Sequence, residues 1–328
     1  MLSPNRGDCR AMSQFLIVRD RLIRRVGRKN YADHIIATTD PEKGNLRAIA
    51  KKEGYYIQLF HSFRRGGRFS VFSPVGLLPA AEAGIDIAEI MVGARHADKA
   101  CKTPSPWKNP GGMGAVLQVL AYTKKWKHIS VMMPYSDSLK GFGDWYRQLL
   151  AESLGKRYDL DGKTVNVGPT PVSPLGATDQ HSQPQLYVEG PFDKVITFIS
   201  IEKYGTTLRI PSGFKDIEGV SYLGDHTLDE LIQAEERAIE FSLLLNSRSH
   251  AVFRVPEINP FTVGQLLFML QVQTLYAGGL LNINPLDQPG VETGKAFTYG
   301  MMGRKGYGDK LEFLARAQPK KKKYQITV

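Results

Sequence analysis

Short runs of β-branched and aromatic residues alternate with segments of helical spacing along most of this chain. The strand-like runs are His34–Thr39, Tyr55–Phe60, Ile129–Met133, Lys194–Ile201 and His250–Val255. Helical patterns follow most of them, at 45–53, at 74–84, at 143–154 and from Pro260 onward. Strand–helix alternation is typical of parallel sheets, because a crossover connection must carry the chain back to the start of the next strand. The sequence therefore predicts an α/β fold with a parallel sheet.

Two helices are marked by clear local patterns. Leu228–Ser247 has apolar residues at helical spacing, and Thr227 with Glu230 forms the T-x-x-E pattern of a capping box. Met12–Val26 has the pattern of an amphipathic helix and precedes every predicted strand. Because a helix usually follows a strand in a parallel α/β domain, we expect this chain to begin inside a domain.

Length and composition indicate two globular domains. The chain has 328 residues, and a domain commonly holds about 150 residues. Hydrophobic residues make up 42% and charged residues 23%, which is ordinary for a globular protein. The stretch 102–112 is rich in Pro and Gly and looks like a linker. We therefore expect one domain at residues 1–103 and a second at residues 104–328.

The positive charge of the chain is confined to its ends. The formal net charge is +11, but residues 1–30 hold eight Lys or Arg and two Asp or Glu, and residues 301–328 hold the same numbers. The residues between them are close to neutral, so the body of the protein lacks the basic surface of a nucleic-acid-binding protein. The run Lys320–Lys323 has the composition of a solvated tail. We expect no nucleic-acid partner.

No segment has the features of a membrane span or of a disulfide framework. The long uncharged stretch Ile258–Leu286 contains several Asn and Gln residues, which favours a buried central helix over a helix in lipid. The two cysteines, Cys9 and Cys101, form no C-x-x-C pair and no paired metal-ligand motif. This cysteine usage fits the reducing cytosol, so we expect a cytoplasmic protein with no membrane partner and no metal.

Two segments carry an arginine and a carboxylate in positions suited to binding or catalysis. Gly66 and Gly67 allow a tight turn and a close approach by a ligand, and they place Arg68 near a helix start, where anions are favoured. Glu152 lies at the end of a helical pattern and is a candidate general base. The ordinary alternatives are an arginine in a solvated turn and a glutamate on a solvated helix face.

Two further segments carry a histidine, a glutamine and a lysine. The stretch 168–183 has the composition of a long loop and contains His181, and loops supply a large share of binding residues. If a helix starts near Pro289, Gln288 and Lys295 lie about two turns apart near one face. His181 could equally be a partly buried residue that caps the next helix, and Lys295 could be a surface charge.

In this order, the segments resemble the phosphoglucose isomerase family, also called the glucose-6-phosphate isomerases. The resemblance extends from about Ser13 through Lys295. Gly66–Gly76 is similar to the first signature of the family, and the stretch ending in 287–295 is similar to the second, with Leu286 where an aromatic residue is usual. The resemblance implies two sugar-isomerase-type parallel-sheet domains, of which the first is incomplete here at its N-terminus. It also implies an active site between the domains and at the interface of a homodimer.

The resemblance further implies a reaction. Members of the family are aldose–ketose isomerases of glycolysis and gluconeogenesis. They interconvert glucose 6-phosphate and fructose 6-phosphate through an enediol intermediate, and they use no metal and no organic cofactor. A sugar C–H group is a weak acid, so a carboxylate base must lie within hydrogen-bond reach while a cation offsets the charge that develops on oxygen.

The motifs assign a role to each candidate residue. Glu152 is similar to the base that moves the proton between C1 and C2, and Arg68 to the arginine that stabilises the enediolate. His181 and Lys295 are similar to the pair that opens the sugar ring, with His181 supplied by the neighbouring subunit. Gln288 is similar to a glutamine that contacts the substrate, and Gly67 belongs to the substrate-binding turn. The expected partners are a sugar phosphate and a second copy of the chain.

One part of the family pattern is absent from this sequence. The family clamps the substrate phosphate with a Gly-Gly-Ser turn and a Ser/Thr-rich loop, and neither precedes the helix at Met12–Val26. We therefore expect an N-terminally truncated member. Two alternatives to the enzyme remain open, a non-catalytic sugar-phosphate-binding module and an inactive fragment that lacks the phosphate clamp.

Overall fold

The computed structural model describes residues 9–42, 44–59 and 67–317. Phe60, Gly66 and Lys320–Lys323, which entered the sequence analysis, lie outside the described residues. The helices are α1 (Cys9–Val26), α2 (Asn45–Glu53), α3 (Pro74–Glu82), α4 (Ile87–Cys101), α5 (Pro110–Lys125), α6 (Lys140–Leu154), α7 (Pro184–Glu189), α8 (Glu218–Ser221), α9 (Leu228–Leu245), α10 (Pro260–Leu280), α11 (Gly290–Met301) and α12 (Gly308–Ala317). The strands are β1 (Ile36–Thr39), β2 (Tyr56–Leu59), β3 (Ile129–Pro134), β4 (Lys156–Tyr158), β5 (Thr164–Val167), β6 (Thr170–Val172), β7 (Lys194–Lys203) and β8 (His250–Glu257). The predicted α/β class with a parallel sheet is confirmed.

The chain divides into two compact units. The first unit holds the described residues up to Pro79 together with those from Asp287 onward, and the second unit is Ala80–Leu286. The stretch 102–112 is a packed corner inside the second unit, where the buried Asn109 caps α5 and donates to the carbonyls of Cys101 and Thr103. The domain assignment to 1–103 and 104–328 stays a prediction.

The first unit has a small parallel sheet, in which β1 pairs with β2 and Ile36 lies opposite Tyr56. Its core consists of Phe15, Tyr31, Ala37, Ala50 and Tyr55, with apolar residues of α1 and α2 packed around them. The amphipathic pattern predicted α1, and its apolar face supplies Phe15 to this core. In the structure α1 begins at Cys9, three residues before the predicted start at Met12.

The second unit is built on a four-stranded sheet in the order β6-β3-β7-β8, with every pair parallel. Val131, Met133, Ile196 and Phe198 form the centre of the core on one face, and Leu243 of α9 packs against them. On this sheet the parallel arrangement places all strand starts at one edge and all strand ends at the other. We call these the amino edge and the carboxyl edge.

Helix α10 is the central helix of the second unit. The amide-rich pattern of Ile258–Leu286 predicted a buried helix, and α10 buries Gln271, Gln273 and Thr274 together with its apolar residues. It packs closely on α4, because a Cβ added at Gly264 would lie 2.2 Å from the carbonyl oxygen of Ile90. Among the helices in the described part of the chain, none has the length and hydrophobicity to cross a bilayer. The cytoplasmic location stays a prediction.

Local sequence patterns predicted the starts of α9 and α6 to within three residues. The capping box of Thr227 and Glu230 is present at the start of α9, as predicted. Helix α6 begins at Lys140, three residues before the predicted start at Gly143. Gly143 lies inside the helix, where a Cβ would come 2.3 Å from the hydroxyl oxygen of Ser173, so packing overrides its low helix propensity. The stretch 168–183, predicted as a long loop, contains β6 and a 3₁₀ turn at Thr178–His181.

Candidate active site

Arg68 is held rigidly inside the first unit. It lies in a 3₁₀ turn at Gly67–Phe69 and is 4% exposed. Its Nη1 donates to Oε1 of Gln288 over 2.8 Å, and its Nη2 donates to the carbonyl oxygen of Asp287 over 2.9 Å. The structure therefore brings together two predicted site residues from the two family signatures. A buried guanidinium with fixed partners is a preorganised positive charge, which suits stabilisation of an anion.

The turn that presents Arg68 is fixed by its own hydrogen bonds. The Ser70 hydroxyl donates to the carbonyl of Gly67 over 2.6 Å, and the Ser73 hydroxyl donates to the carbonyl of Ser70. At the start of α3, a Cβ added at Gly76 would lie 2.2 Å from the carbonyl oxygen of Val71, so the close approach requires glycine. Gly67 itself is exposed.

Lys295 also lies in the first unit, on α11. The predicted helix near Pro289 is confirmed, since α11 begins at Gly290 and Gln288 comes just before its cap. Nζ of Lys295 lies 2.8 Å from Oε1 of Glu292, one turn earlier, and the Lys295 side chain is 26% exposed. An ammonium group has three donors, so this ion pair leaves Lys295 with donors for a ligand.

Glu152 lies in the second unit, in the last turn of α6. Its Oε1 accepts from Nε2 of Gln148 over 3.0 Å. The buried Lys156 donates from Nζ to the carbonyl oxygen of Glu152 over 2.7 Å, and a cation is favourable at the C-terminal end of a helix. Neighbours on two sides thus fix the backbone and the carboxylate of Glu152.

His181 ends the 3₁₀ turn Thr178–His181 and is exposed. The turn is tied to the body of the unit, because the Tyr135 hydroxyl donates to Oε1 of Gln180 over 2.8 Å. Oδ2 of Asp179 also accepts from the backbone N–H of Leu175 over 2.7 Å. His181 is therefore an exposed imidazole on an anchored turn, which fits a residue that works at a surface shared with a ligand or another chain.

Glu152 and His181 lie at opposite edges of the sheet of the second unit. Leu154, two residues after Glu152, lies against Gly168, because a Cβ added at Gly168 would be 2.8 Å from the carbonyl oxygen of Leu154. Gly168 comes two residues before β6, which begins at the amino edge. Glu152 is therefore near the amino edge. At the carboxyl edge, Gly176 donates to the carbonyl of Pro134 over 2.8 Å, just before the His181 turn. The length of β3 separates these positions by about 17 Å at roughly 3.3 Å per residue. One copy of the second unit does not bring Glu152 and His181 together.

Tyr135 is a site neighbour that the sequence analysis missed. It is fully buried directly after β3, and burial raises its pKa, with the carboxylates of Glu236 and Glu235 adding to this effect. Its position at the carboxyl end of a parallel strand was the available signal, since ligands of open α/β sheets bind beyond that edge.

The described residues contain no group of three or more His, Cys, Asp or Glu side chains arranged to hold a metal ion. The six predicted site residues therefore fall into two sets, with Gly67, Arg68, Gln288 and Lys295 in the first unit and Glu152 and His181 in the second. The second set holds a carboxylate and an imidazole, side-chain types that can transfer protons, and the first holds two cationic side chains, which can stabilise an anion.

Comparison with solved structures defines the fold. The chain superposes on a glucose-6-phosphate isomerase from Chlamydia trachomatis with a TM-score of 0.77 at 22% identity, covering 96% of this chain and 61% of that one. A hypothetical protein from Thermus thermophilus gives a TM-score of 0.82 at 35% identity, covering 89% of this chain and 68% of that one. The fold is therefore the sugar-isomerase-type α/β fold.

Sequence comparison then shows the family. The phosphoglucose isomerase family model matches residues 11–306, and the chain belongs to this family. The glucose-6-phosphate isomerase of Carboxydothermus hydrogenoformans is 49% identical over 300 residues, covering 91% of this chain and 64% of that protein. The enzyme of the same name from Rubrobacter xylanophilus is 43% identical over 296 residues, covering 90% of this chain and 66% of that protein. The chain thus spans just under two thirds of the length of these relatives.

Proposed function

We propose that this chain catalyses, or forms the larger part of a protein that catalyses, the interconversion of glucose 6-phosphate and fructose 6-phosphate. The observation that carries the proposal is the buried Arg68 guanidinium, held by Gln288 and by the carbonyl of Asp287. The names of the relatives support the same substrate class. The reaction belongs to glycolysis and gluconeogenesis.

In the proposed isomerisation, Glu152 removes the proton from C2 of the open-chain aldose and returns it to C1, while the hydroxyl proton on the C2 oxygen passes to the C1 oxygen, so that C2 becomes the carbonyl carbon. Electrons from the broken C–H bond form the enediol, and the carbonyl oxygen at C1 gains negative charge. Arg68 stabilises that oxygen, because its charge is fixed before the reaction and requires no reorganisation. Gln288 keeps the guanidinium in place and offers its own amide to the substrate, and Gly67 belongs to the turn that presents Arg68.

In the proposed ring opening, a proton goes to the ring oxygen while another leaves the hydroxyl at C1. This exchange needs one proton donor and one proton acceptor, and the proposal gives these roles to His181 and Lys295. These steps involve proton transfer alone, so the proposal includes no metal ion and no organic cofactor.

The positions of Glu152 and His181 support a homodimer. Because one copy of the second unit holds them at opposite edges of its sheet, a single substrate could meet both if a second copy supplies His181. A symmetric pair would then form two equivalent sites.

The test uses two polypeptides, the 328-residue chain and a fusion that adds the part of the Carboxydothermus protein outside the match. Isomerisation of fructose 6-phosphate is followed with a coupled assay on the more active of the two. We expect Glu152→Gln to lower kcat by about 10²- to 10⁴-fold with little change in KM, because the amide keeps the shape and loses the base.

The matched control is Glu189→Gln, which neutralises an exposed glutamate on α7 of the same unit and should leave kcat within about twofold. A Glu152→Gln variant of nearly normal kcat would remove Glu152 from the role. If both polypeptides bind glucose 6-phosphate without turnover, the sugar-phosphate-binding module becomes the better interpretation.

A further inference from the structure

Gln180, the residue before His181, anchors the turn to two other elements through its side chain. The Tyr135 hydroxyl donates to Oε1 of Gln180 over 2.8 Å, and Nε2 of Gln180 donates to the carbonyl of Glu235 over 3.2 Å. These two bonds fix which end of the amide is oxygen, since a carbonyl can accept only from the nitrogen end. Gln180 is thereby clamped between β3 and α9, and His181 is the next residue.

The backbone before this turn needs such an anchor. Ala177 has a φ of +63°, a conformation that costs a residue with a Cβ and persists where the surroundings impose it. The preceding residue lies against Tyr135, because a Cβ added at Gly176 would lie 2.5 Å from the Tyr135 ring. The loop therefore folds directly onto the aromatic ring whose hydroxyl holds Gln180.

Tyr135 is itself fixed in position and in protonation state. The Tyr204 hydroxyl donates to the carbonyl of Tyr135 over 2.8 Å. Burial raises the pKa of Tyr135 well above its usual value, and the nearby Glu236 and Glu235 raise it further. The hydroxyl therefore remains a donor throughout the working range of an enzyme, and the bond to Gln180 does not depend on pH there.

We propose that Tyr135 is a positioning residue for His181, acting through Gln180, and that it supports ring opening rather than the proton transfer between C1 and C2. The assignment rests on the proposed function, since it gives His181 the ring-opening role. The Tyr135 ring lies beneath the loop, so it acts on the orientation of the imidazole and does not touch the substrate.

Tyr135→Phe separates the two steps, because it removes the hydroxyl and keeps the ring under the loop. Ring opening is measured as exchange between the α and β anomers of glucose 6-phosphate by NMR, on the more active of the two polypeptides. We expect this exchange to fall about tenfold, since a loosened His181 spends less time in reacting geometry. The affinity for a six-carbon aldonate 6-phosphate, which has no ring to open, should stay within about twofold.

Three comparisons make the result specific. Glu152→Gln should show the reverse pattern, with isomerisation lost and anomer exchange retained. Tyr146→Phe removes another buried hydroxyl of the same unit, one bonded to Gln118 and Ser130, and should leave anomer exchange unchanged. Gln180→Ala should resemble Tyr135→Phe, and the double variant should be no worse than the lower single variant, because both break one interaction.

The outcomes are distinguishable. Unchanged anomer exchange in Tyr135→Phe, or an equal loss in Tyr146→Phe, would overturn the assignment while leaving the proposed function intact. An equal loss of aldonate affinity in Tyr135→Phe would also overturn it, since that pattern indicates a general structural role. Absence of both anomer exchange and isomerisation in the unsubstituted protein would overturn the proposed function, and the assignment with it.

Discussion

Arg68 and Gln288 are 220 positions apart in the chain, and Nη1 of the arginine donates to Oε1 of the glutamine over 2.8 Å. A second donor of the same guanidinium reaches the carbonyl of Asp287. Two donors in a fixed plane determine the orientation of the charge as well as its place, which an ammonium group cannot do. The two signatures of the family thus meet at a single side chain.

Arg68→Lys tests that relationship. A lysine keeps the charge but cannot hold both partners at once, so the charge would no longer be preorganised. We expect kcat to fall about 10²- to 10³-fold, as when one donor to a developing oxyanion is lost. The control is Arg28→Lys, an exposed arginine of the same unit, which should stay within about twofold. Equal activity of the two variants would show that Arg68 needs only its charge.

Mixing inactive subunits tests whether His181 acts across a dimer interface. Glu152→Gln and His181→Ala chains are purified separately, then exchanged in equal amounts. If each site combines Glu152 of one copy with His181 of the other, each heterodimer regains one intact site, and total activity reaches about one quarter of normal. Confirmed subunit exchange with no recovery would place both residues of a site in one chain.

Acid stability of the first unit should depend on Glu53. The Tyr31 hydroxyl donates to Oε2 of Glu53, and Nη2 of Arg19 lies 3.1 Å from Oε1. The hydrogen bond from Tyr31 contributes most to lowering the pKa of Glu53, and the contacts with Arg19 lower it further. The cluster therefore stabilises the folded state above the ordinary pKa of 4.5 and loses this contribution as the pH falls through the lowered pKa.

Thermal unfolding of the protein and of Glu53→Gln, measured from neutral pH down to about pH 3, checks this expectation. Tm of the unsubstituted protein should be the higher one at neutral pH, and the difference should shrink as Glu53 becomes protonated. Glu42→Gln, at an exposed glutamate of the same unit, is the control. A Tm difference that does not change with pH would show that Glu53 acts through packing and not through its charge.

The 328-residue chain by itself should be a weaker isomerase than the fusion. The phosphate dianion is the largest charge of the substrate, and binding energy from this non-reacting group holds the sugar in reacting geometry. The match spans just under two thirds of the relatives' length, and we expect the phosphate-clamping Ser/Thr-rich loop that the resemblance implies to lie in the part of the relatives outside it. We expect kcat/KM of the chain to be at least about 100-fold below that of the fusion. Comparable values would mean that residues within this chain bind the phosphate. Mapping the residues that bound inorganic phosphate protects would then locate them.

Local physics explains why much of the fold was predictable. The runs at 129–133, 194–201 and 250–255 became the three adjacent strands β3, β7 and β8. Strands β3 and β7 are largely buried, and buried parallel strands need nearly continuous apolar residues. Strand β8 lies at the edge of the sheet and is only partly buried. The cap of α9 was predictable because Thr227 and Glu230 satisfy the first N–H groups of the helix within four residues. Strand β6 was missed, because its Thr-Pro-Val sequence sits among glycines and prolines and forms through pairing with β3.

For the candidate site, the sequence by itself determined which residue types are present and, through resemblance, which roles they suit. It also determined the tight turn of Gly67–Phe69 and the helix that carries Lys295, since both depend on neighbours in the chain. Tertiary structure alone decided that Arg68 is buried against Gln288, that Tyr135 anchors the His181 turn, and that Glu152 and His181 lie at opposite edges of one sheet. These relationships join residues far apart in the chain, and no local preference encodes a contact that forms only when separate strands and helices pack together.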